Sequence, residues 1–496
     1  MVRRSAAWIA LLACGAALAL RFTPLAANDR VARVADRLGG IGWIDRLYVA
    51  RELDALAEAA APAGAPRPHV VLVSLDTLRR DRLGLYGYDH DTMPRLAAWA
   101  RSARVYDRAR SSSSWTLPAH ASLFTGLHAV EHGAHGAAYT PGAPSDGDAL
   151  ALREDVPTLA EALGDAGYTT VGIAANRAYL GASLGLSRGF DLWLCDRVPR
   201  VGAYPTADRV TSMALQVAEE LRDRPLFLFL NYMDPHQPIH LRDGYTPEIE
   251  RVDRELLPYT ERWMRHTERL MREGEPLSPA LVESWSLGYD GELRFLDEHL
   301  GRLLDGLSAL GVGGDDVVIV LSDHGELFGE HDLVEHSKHL YDALTLVPLL
   351  VRAPGFAAGR DGRPVQPQDV TRWVLAAAGL PAFPGTAPTG GLQVTELYWT
   401  RHKDLADPAL RARFDRVLRA WVEAEHKLFR DDRGGEWLYD LAADPAETRP
   451  LSDAPWAGPL RRRAADWVGE HAPAPGAAPP RSDVEIEALR ALGYVE

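Results

Sequence analysis

The chain predicts an α/β fold with a doubly wound, mostly parallel sheet. Three observations carry this expectation. Five short apolar runs lack the polar alternation of a half-exposed strand, as strands buried on both faces do. Helical patterns lie between those runs. Acids and imidazoles follow several of them, at the edge where open α/β sheets bind ligands.

The runs are HVVLVSL (69–75), TTVGIAA (169–175), PLFLFLN (225–231), DVVIVLS (316–322) and VPLLVRA (347–353). The first intervening helix is predicted in MPRLAAWARSA, after the capping residue Thr92. A second, PTLAEALGDAG, opens on proline and stops at Gly167. A third follows Thr206 in ADRVTSMALQVAEELRD, and a long amphipathic one lies within 279–310. No internal repeat is present.

At 496 residues the chain exceeds one hydrophobic core. With 46% hydrophobic and 25% charged residues it is a globular protein, not a disordered one. A formal net charge of −15 argues against a nucleic-acid partner, which needs a basic face. The two cysteines, Cys14 and Cys195, supply neither a disulfide framework nor a thiolate metal cluster. Oligomeric state leaves no mark in the sequence.

Arg3 and Arg4 precede the apolar stretch 6–20, the pattern of an export signal, short for a spanning helix. Residues 1–27 are therefore expected to be a signal peptide or membrane anchor. That places the protein in the periplasm or on a membrane. Residues 28–67, ending in APAGAPRP, read as a spacer.

Polar residues gather after three runs: Asp76 after the first, Asp234 and His236 after the third, Asp323 and His324 after the fourth. In SSSSWTLPAHASLFTG (111–126), the hydroxyl of Thr116 stands just before Pro118, where a helix can begin. A helix start with free N–H groups suits an anionic substrate. Together these residues read as a nucleophile beside a metal site.

The blocks VVLVSLDTLRRDRLGLYGY, WTLPAHASLFTG, YMDPHQP, SDHGELFGEH and HSKHLYDALTLVPLLVRAPG follow one another as in the sulfatase family of the alkaline phosphatase superfamily, which this chain resembles. KLFRDDRGGEWLYDLAADPAETRPLS resembles the family's C-terminal block. The resemblance implies a catalytic domain over 68–385, followed over 386–496 by a smaller C-terminal α+β subdomain and tail. It implies a divalent cation held by Asp76, Asp323 and His324, with Thr116 completing the site. Calcium, magnesium, manganese and zinc all suit such donors. It also implies that His236 contacts the ester or its leaving group, and that His336 or Lys338 binds substrate oxygens.

Two departures stand out. A second acid often follows the first strand, and here that residue is Thr77. Sulfatases oxidise a Cys or Ser to formylglycine, with an Arg four residues on; this chain has Thr116 and His120. A threonine cannot give that aldehyde, so its hydroxyl must attack directly. His120 is expected to orient Thr116 or a substrate oxygen.

The expected activity is hydrolysis of a sulfate, phosphate or phosphonate ester, with phosphorus favoured. Transfer to an acceptor alcohol, as phosphoethanolamine transferases perform, and a degenerate polyanion-binding protein are the alternatives. His128, His135 and His240 read as non-catalytic; His132 lies in a block shared with the family. His331 is expected behind the site. Tyr289, Asp290 and Glu292 are expected to serve packing. Trp421, Trp437 and Tyr439 are expected in the C-terminal core.

Overall fold

The computed structural model describes residues 41–59, 67–141, 148–195, 204–246, 248–386, 391–474 and 476–492. The expected signal or anchor at 1–27 lies outside them. Among the described residues, no helix is long and apolar enough to cross a membrane.

The strands are β1 (Val70–Leu75), β2 (Arg104–Ala109), β3 (Thr169–Ala174), β4 (Leu192–Leu194), β5 (Leu226–Tyr232), β6 (Val317–Ser322), β7 (Leu327–Phe328), β8 (Val334–Glu335), β9 (Leu349–Arg352) and β10 (Gly359–Val365). All but the β7–β8 hairpin join one sheet in the order β10-β2-β9-β6-β1-β5-β3-β4. The central strands β1, β5 and β6 are buried along their whole length and pair in parallel. Each fully buried aliphatic or aromatic side chain there contributes about 1.5–3 kcal/mol.

All five apolar runs are strands, as expected. One differs in direction: β9 is antiparallel to both β6 and β2. After β6 the chain stays at the site edge through the β7–β8 hairpin, so it can re-enter the sheet only from that edge. The unforeseen strands β2 and β10 carry RVYDRA and GRDGRPV and are partly exposed.

The register builds the site. Leu75 stands level with Tyr232 on β5 and Ser322 on β6. The next residues, Asp76 and Asp323, therefore leave the sheet at one height.

Four helices matter for the site and its support. Helix α1 (Ile41–Ala59) lies within the stretch read as a spacer and packs on α3 (Ala207–Glu220). A buried pair fastens it, Arg209 Nε and Nη2 donating to Asp45 at 2.7 and 2.8 Å. Helix α2 (Thr116–Thr125) starts after the extended Trp115, stops at Gly126 (φ 72°), and buries all ten of its residues. Helix α4 (Pro279–Ala309) crosses behind the β1 exit.

Strands β11 (Leu392–Tyr398), β12 (Val417–Glu423), β13 (His426–Asp431) and β14 (Glu436–Asp440) form a separate antiparallel sheet. Trp421 packs there with Leu428, Leu438 and Trp467. Tyr439 and Trp437 instead face the main core. Strand β11 backs the serine run: Glu396 N donates to Ser112 O (2.8 Å), Ser113 Oγ to Glu396 O (2.7 Å), Thr395 Oγ1 to Ser111 O (3.0 Å). The turn before Thr116 is thus held by the C-terminal sheet.

Candidate active site and metal centre

Asp76, Asp323 and His324 converge at the strand ends, with one ligand atom of each within 4.8 Å of the others. The hydrogen bonds around them leave particular atoms free. Asp323 Oδ1 accepts from His324 N (2.8 Å) and Thr77 N (3.2 Å), while Oδ2 has no hydrogen-bond partner. Asp76 Oδ2 accepts from Asn176 Nδ2 (2.9 Å), and its Oδ1 is likewise buried without one. His324 Nδ1 donates to Gly325 O (2.9 Å), which leaves the Nε2 lone pair available. That Nε2 lies 3.9 Å from Asp76 Oδ1, 3.5 Å from Asp323 Oδ2 and 3.5 Å from Thr116 Oγ1.

Two buried oxygens without donors beside an unprotonated imidazole nitrogen fit a cation, because a buried polar atom without a partner is costly. The electrostatics agree. Burial, reinforced by the charge of Asp76, pushes Asp323 well above the usual carboxylate range. Burial also works against the charge of Asp76, yet His236, His324 and Asn176 together hold it below its ordinary value. Burial keeps His324 neutral, well below the usual imidazole range, with His336 adding to the effect. A divalent cation would relieve the repulsion between the two carboxylates.

Thr77, in place of a second acid, takes a left-handed conformation (φ 56°), which strains a β-branched residue. Its N–H is held by Asp323, and its carbonyl accepts from Tyr289 OH (2.8 Å), which also accepts from Arg79 N (2.9 Å). Tyr289 therefore does more than pack, because it braces the loop that carries Asp76. Asp290 accepts from Tyr88 OH, and Glu292 from Arg242; both brace other loops.

The remaining candidates divide. His120 is fully buried, its Nδ1 on Thr116 O and its Nε2 on Ser74 Oγ, both at 2.8 Å. It ties α2 to β1 through the backbone of Thr116, with Nδ1 also 3.6 Å from Asp323 Oδ2. His236, His324 and His336 form a cluster of rings, with centroids 5.1 Å (His236–His336) and 4.6 Å (His324–His336) apart. His236 Nδ1 donates to Gln237 O (2.6 Å), which fixes the ring's orientation. Lys338 is ion-paired, its Nζ on Glu335 Oε2 (3.0 Å) and 3.5 Å from Asp404 Oδ2. Arg401 bonds the same two acids, and the four buried charges balance. Asp234 turns to the start of α3, accepting from Ala207 N (3.1 Å) and Arg242 Nη2 (3.3 Å).

His132 bonds Ser122 Oγ (3.1 Å), His128 bonds Gln368, His135 stacks on Tyr398, and His331 stacks on Tyr341. None of these four bonds a residue of the proposed site.

Two residues escaped the sequence reading. Asn176 donates to both Asp76 Oδ2 and Thr116 Oγ1 (3.2 Å). It stands two residues beyond β3, and the strand-end rule that flags Asp76 applies to it equally. Glu326, inside SDHGE, accepts from His336 Nδ1 (3.3 Å) and Gln237 Nε2 (3.3 Å). Burial pushes its carboxyl up to about 8.

The mostly parallel sheet thus carries acids, an imidazole and a hydroxyl at its carboxyl edge. The sulfatase family model matches residues 68–380, and the chain belongs to that family. It is 23% identical over 444 residues to the uncharacterized sulfatase YidJ of Escherichia coli (strain K12), covering 78% of this chain and 83% of the relative. It is 24% identical over 257 residues to choline-sulfatase of Rhizobium meliloti (strain 1021), 47% of each chain. In fold it is similar to the phosphonate monoester hydrolase of Silicibacter pomeroyi, with a TM-score of 0.60 and 20% identity over 82% of this chain and 95% of the other.

Proposed function

We propose that this sulfatase-family hydrolase uses Thr116 as a direct nucleophile beside a divalent cation, and that it prefers phosphate or phosphonate esters to sulfate esters. The observation that carries the reading is the placement of Thr116 Oγ1, 3.5 Å from His324 Nε2 at the first residue of a buried helix.

Asp76 Oδ1, Asp323 Oδ2, His324 Nε2 and Thr116 Oγ1 would hold the cation; magnesium, manganese, calcium and zinc all suit this donor set. When bound, it would lower the pKa of the Thr116 hydroxyl and offset charge on the ester oxygens. Thr116 Oγ then bonds to phosphorus as its proton passes to solvent. The ester P–O bond breaks, and the leaving oxygen takes a proton that an imidazolium at His236 would supply through Nε2, a proton the ring regains from solvent. Water attacks the phospho-threonine in line, the P–Oγ bond breaks, and Thr116 recovers a proton. His336, fixed by Glu326, would bind an equatorial oxygen.

The preference for phosphorus follows from the side chain. A formylglycine hydrate expels sulfate by elimination, whereas a sulfo-threonine has no such route. Mass spectrometry of enzyme quenched during turnover should find the added phosphoryl or phosphonyl group on the peptide containing Thr116. Adduct-free Thr116 under burst conditions would refute the reading.

Export is proposed from Arg3, Arg4 and the apolar stretch after them. Residues 1–67 fused to a reporter active only outside the cytoplasm should give signal; a silent, well-expressed fusion would count against export.

A further inference from the structure

The geometry assigns Asn176 a catalytic role of its own: it donates a hydrogen bond to the Thr116 oxygen in both halves of the reaction. This rests on Thr116 being the nucleophile.

Asn176 is fully buried, and every polar atom of it is engaged. Its backbone N–H donates to Asn231 Oδ1 (2.9 Å), and its Oδ1 accepts from Tyr179 N (3.1 Å). Those contacts settle which way the amide faces. Turned over, Oδ1 would meet the Asp76 carboxylate, and Nδ2 would meet the Tyr179 N–H. The two Nδ2 hydrogens therefore point to Asp76 Oδ2 (2.9 Å) and Thr116 Oγ1 (3.2 Å).

A primary amide gives a hydrogen bond at neutral pH without taking a proton. It can thus stabilise negative charge on Oγ but cannot serve as its base. That charge develops twice, when Oγ attacks and when it departs during hydrolysis of the adduct. The donor is preorganised, since Tyr179 packs edge-on against Trp115 (5.0 Å between centroids) and bonds Asp148 Oδ2 (3.0 Å). The residue before the nucleophile and the loop carrying the donor are braced by one ring.

The test is the pre-steady-state release of nitrophenolate by full-length wild type and variants. The probes are bis(4-nitrophenyl) phosphate and 4-nitrophenyl sulfate, read on whichever the wild type turns over. Asn176→Ala should slow the burst by about 10²–10³-fold, the usual cost of losing a preorganised donor, with KM little changed. Asn176→Asp should be at least as slow, because it puts an acceptor where the donor was. Bound metal per chain should stay at the wild-type level in Asn176→Ala. A burst within a few-fold of wild type would overturn the assignment. So would a lost metal whose replacement restores the rate, since the amide would then act only on Asp76. The Thr116 reading fails separately, if Thr116→Ala keeps its burst.

Discussion

Asp323 performs two jobs with two oxygens, and substitutions separate them. Its Oδ1 satisfies the buried N–H groups of His324 and Thr77, and its Oδ2 faces the proposed cation. Asp323→Ala leaves both N–H groups without a partner, at about 1–3 kcal/mol each, so roughly 2–6 kcal/mol in all. Asp323→Asn keeps the Oδ1 acceptor and removes the charge. Burial and Asp76 raise the Asp323 pKa, so the folded, cation-free state binds that proton more tightly than the unfolded chain. Its stability then falls as pH rises from the ordinary carboxylate range through the raised value. In chelator at neutral pH, the Asn variant should therefore melt no lower than wild type, and the Ala variant below both. Added cation at a hundred times its Kd should raise wild-type stability by about 2.7 kcal/mol and neither variant's. Both variants should lose activity. Calorimetry with and without chelator checks the ordering. A cation-induced rise in Asp323→Asn equal to that of wild type would refute the ligand assignment.

Two further predictions concern buried charge. Asp234 and Glu292 share Arg242, and burial pushes them up to about 7 and about 8. Such groups make the protein lose stability as pH rises from about 3.8 to 8, with no further loss above. Glu292→Gln should flatten part of that slope in melting curves, and an unchanged slope would contradict the assignment. Arg401→Met leaves Glu335 and Asp404 facing Lys338 alone and should cost about 3–5 kcal/mol in denaturant unfolding; a loss under about 1 kcal/mol would show that the quartet is not coupled.

The fold was legible because its central strands are buried on both faces and so read as unbroken apolar runs. Strands β2 and β10 were not, since partial exposure leaves them polar. Asp76, Asp323, His324 and Thr116 were legible as acids, an imidazole and a hydroxyl at strand and helix ends. Lys338 reads as an anion clamp from sequence alone, because its acidic partners become known only in the fold. One of those, Asp404, and Arg401, which shares both acids with the lysine, lie more than sixty residues along the chain. Asn176 was missed because an amide carries no charge to flag it. The role of Tyr289 depends on a hydroxyl meeting a strand exit 212 residues away, a contact no local pattern encodes.

The proposed threonine nucleophile would direct this sulfatase-family site toward phosphorus. The most direct measurement is kcat/KM of one purified preparation with an aryl phosphodiester, an aryl phosphonate monoester and an aryl sulfate sharing one leaving group. The phosphodiester or phosphonate value should exceed the sulfate value by orders of magnitude, and Thr116→Ala should abolish it. A clear preference for the aryl sulfate would contradict this reading.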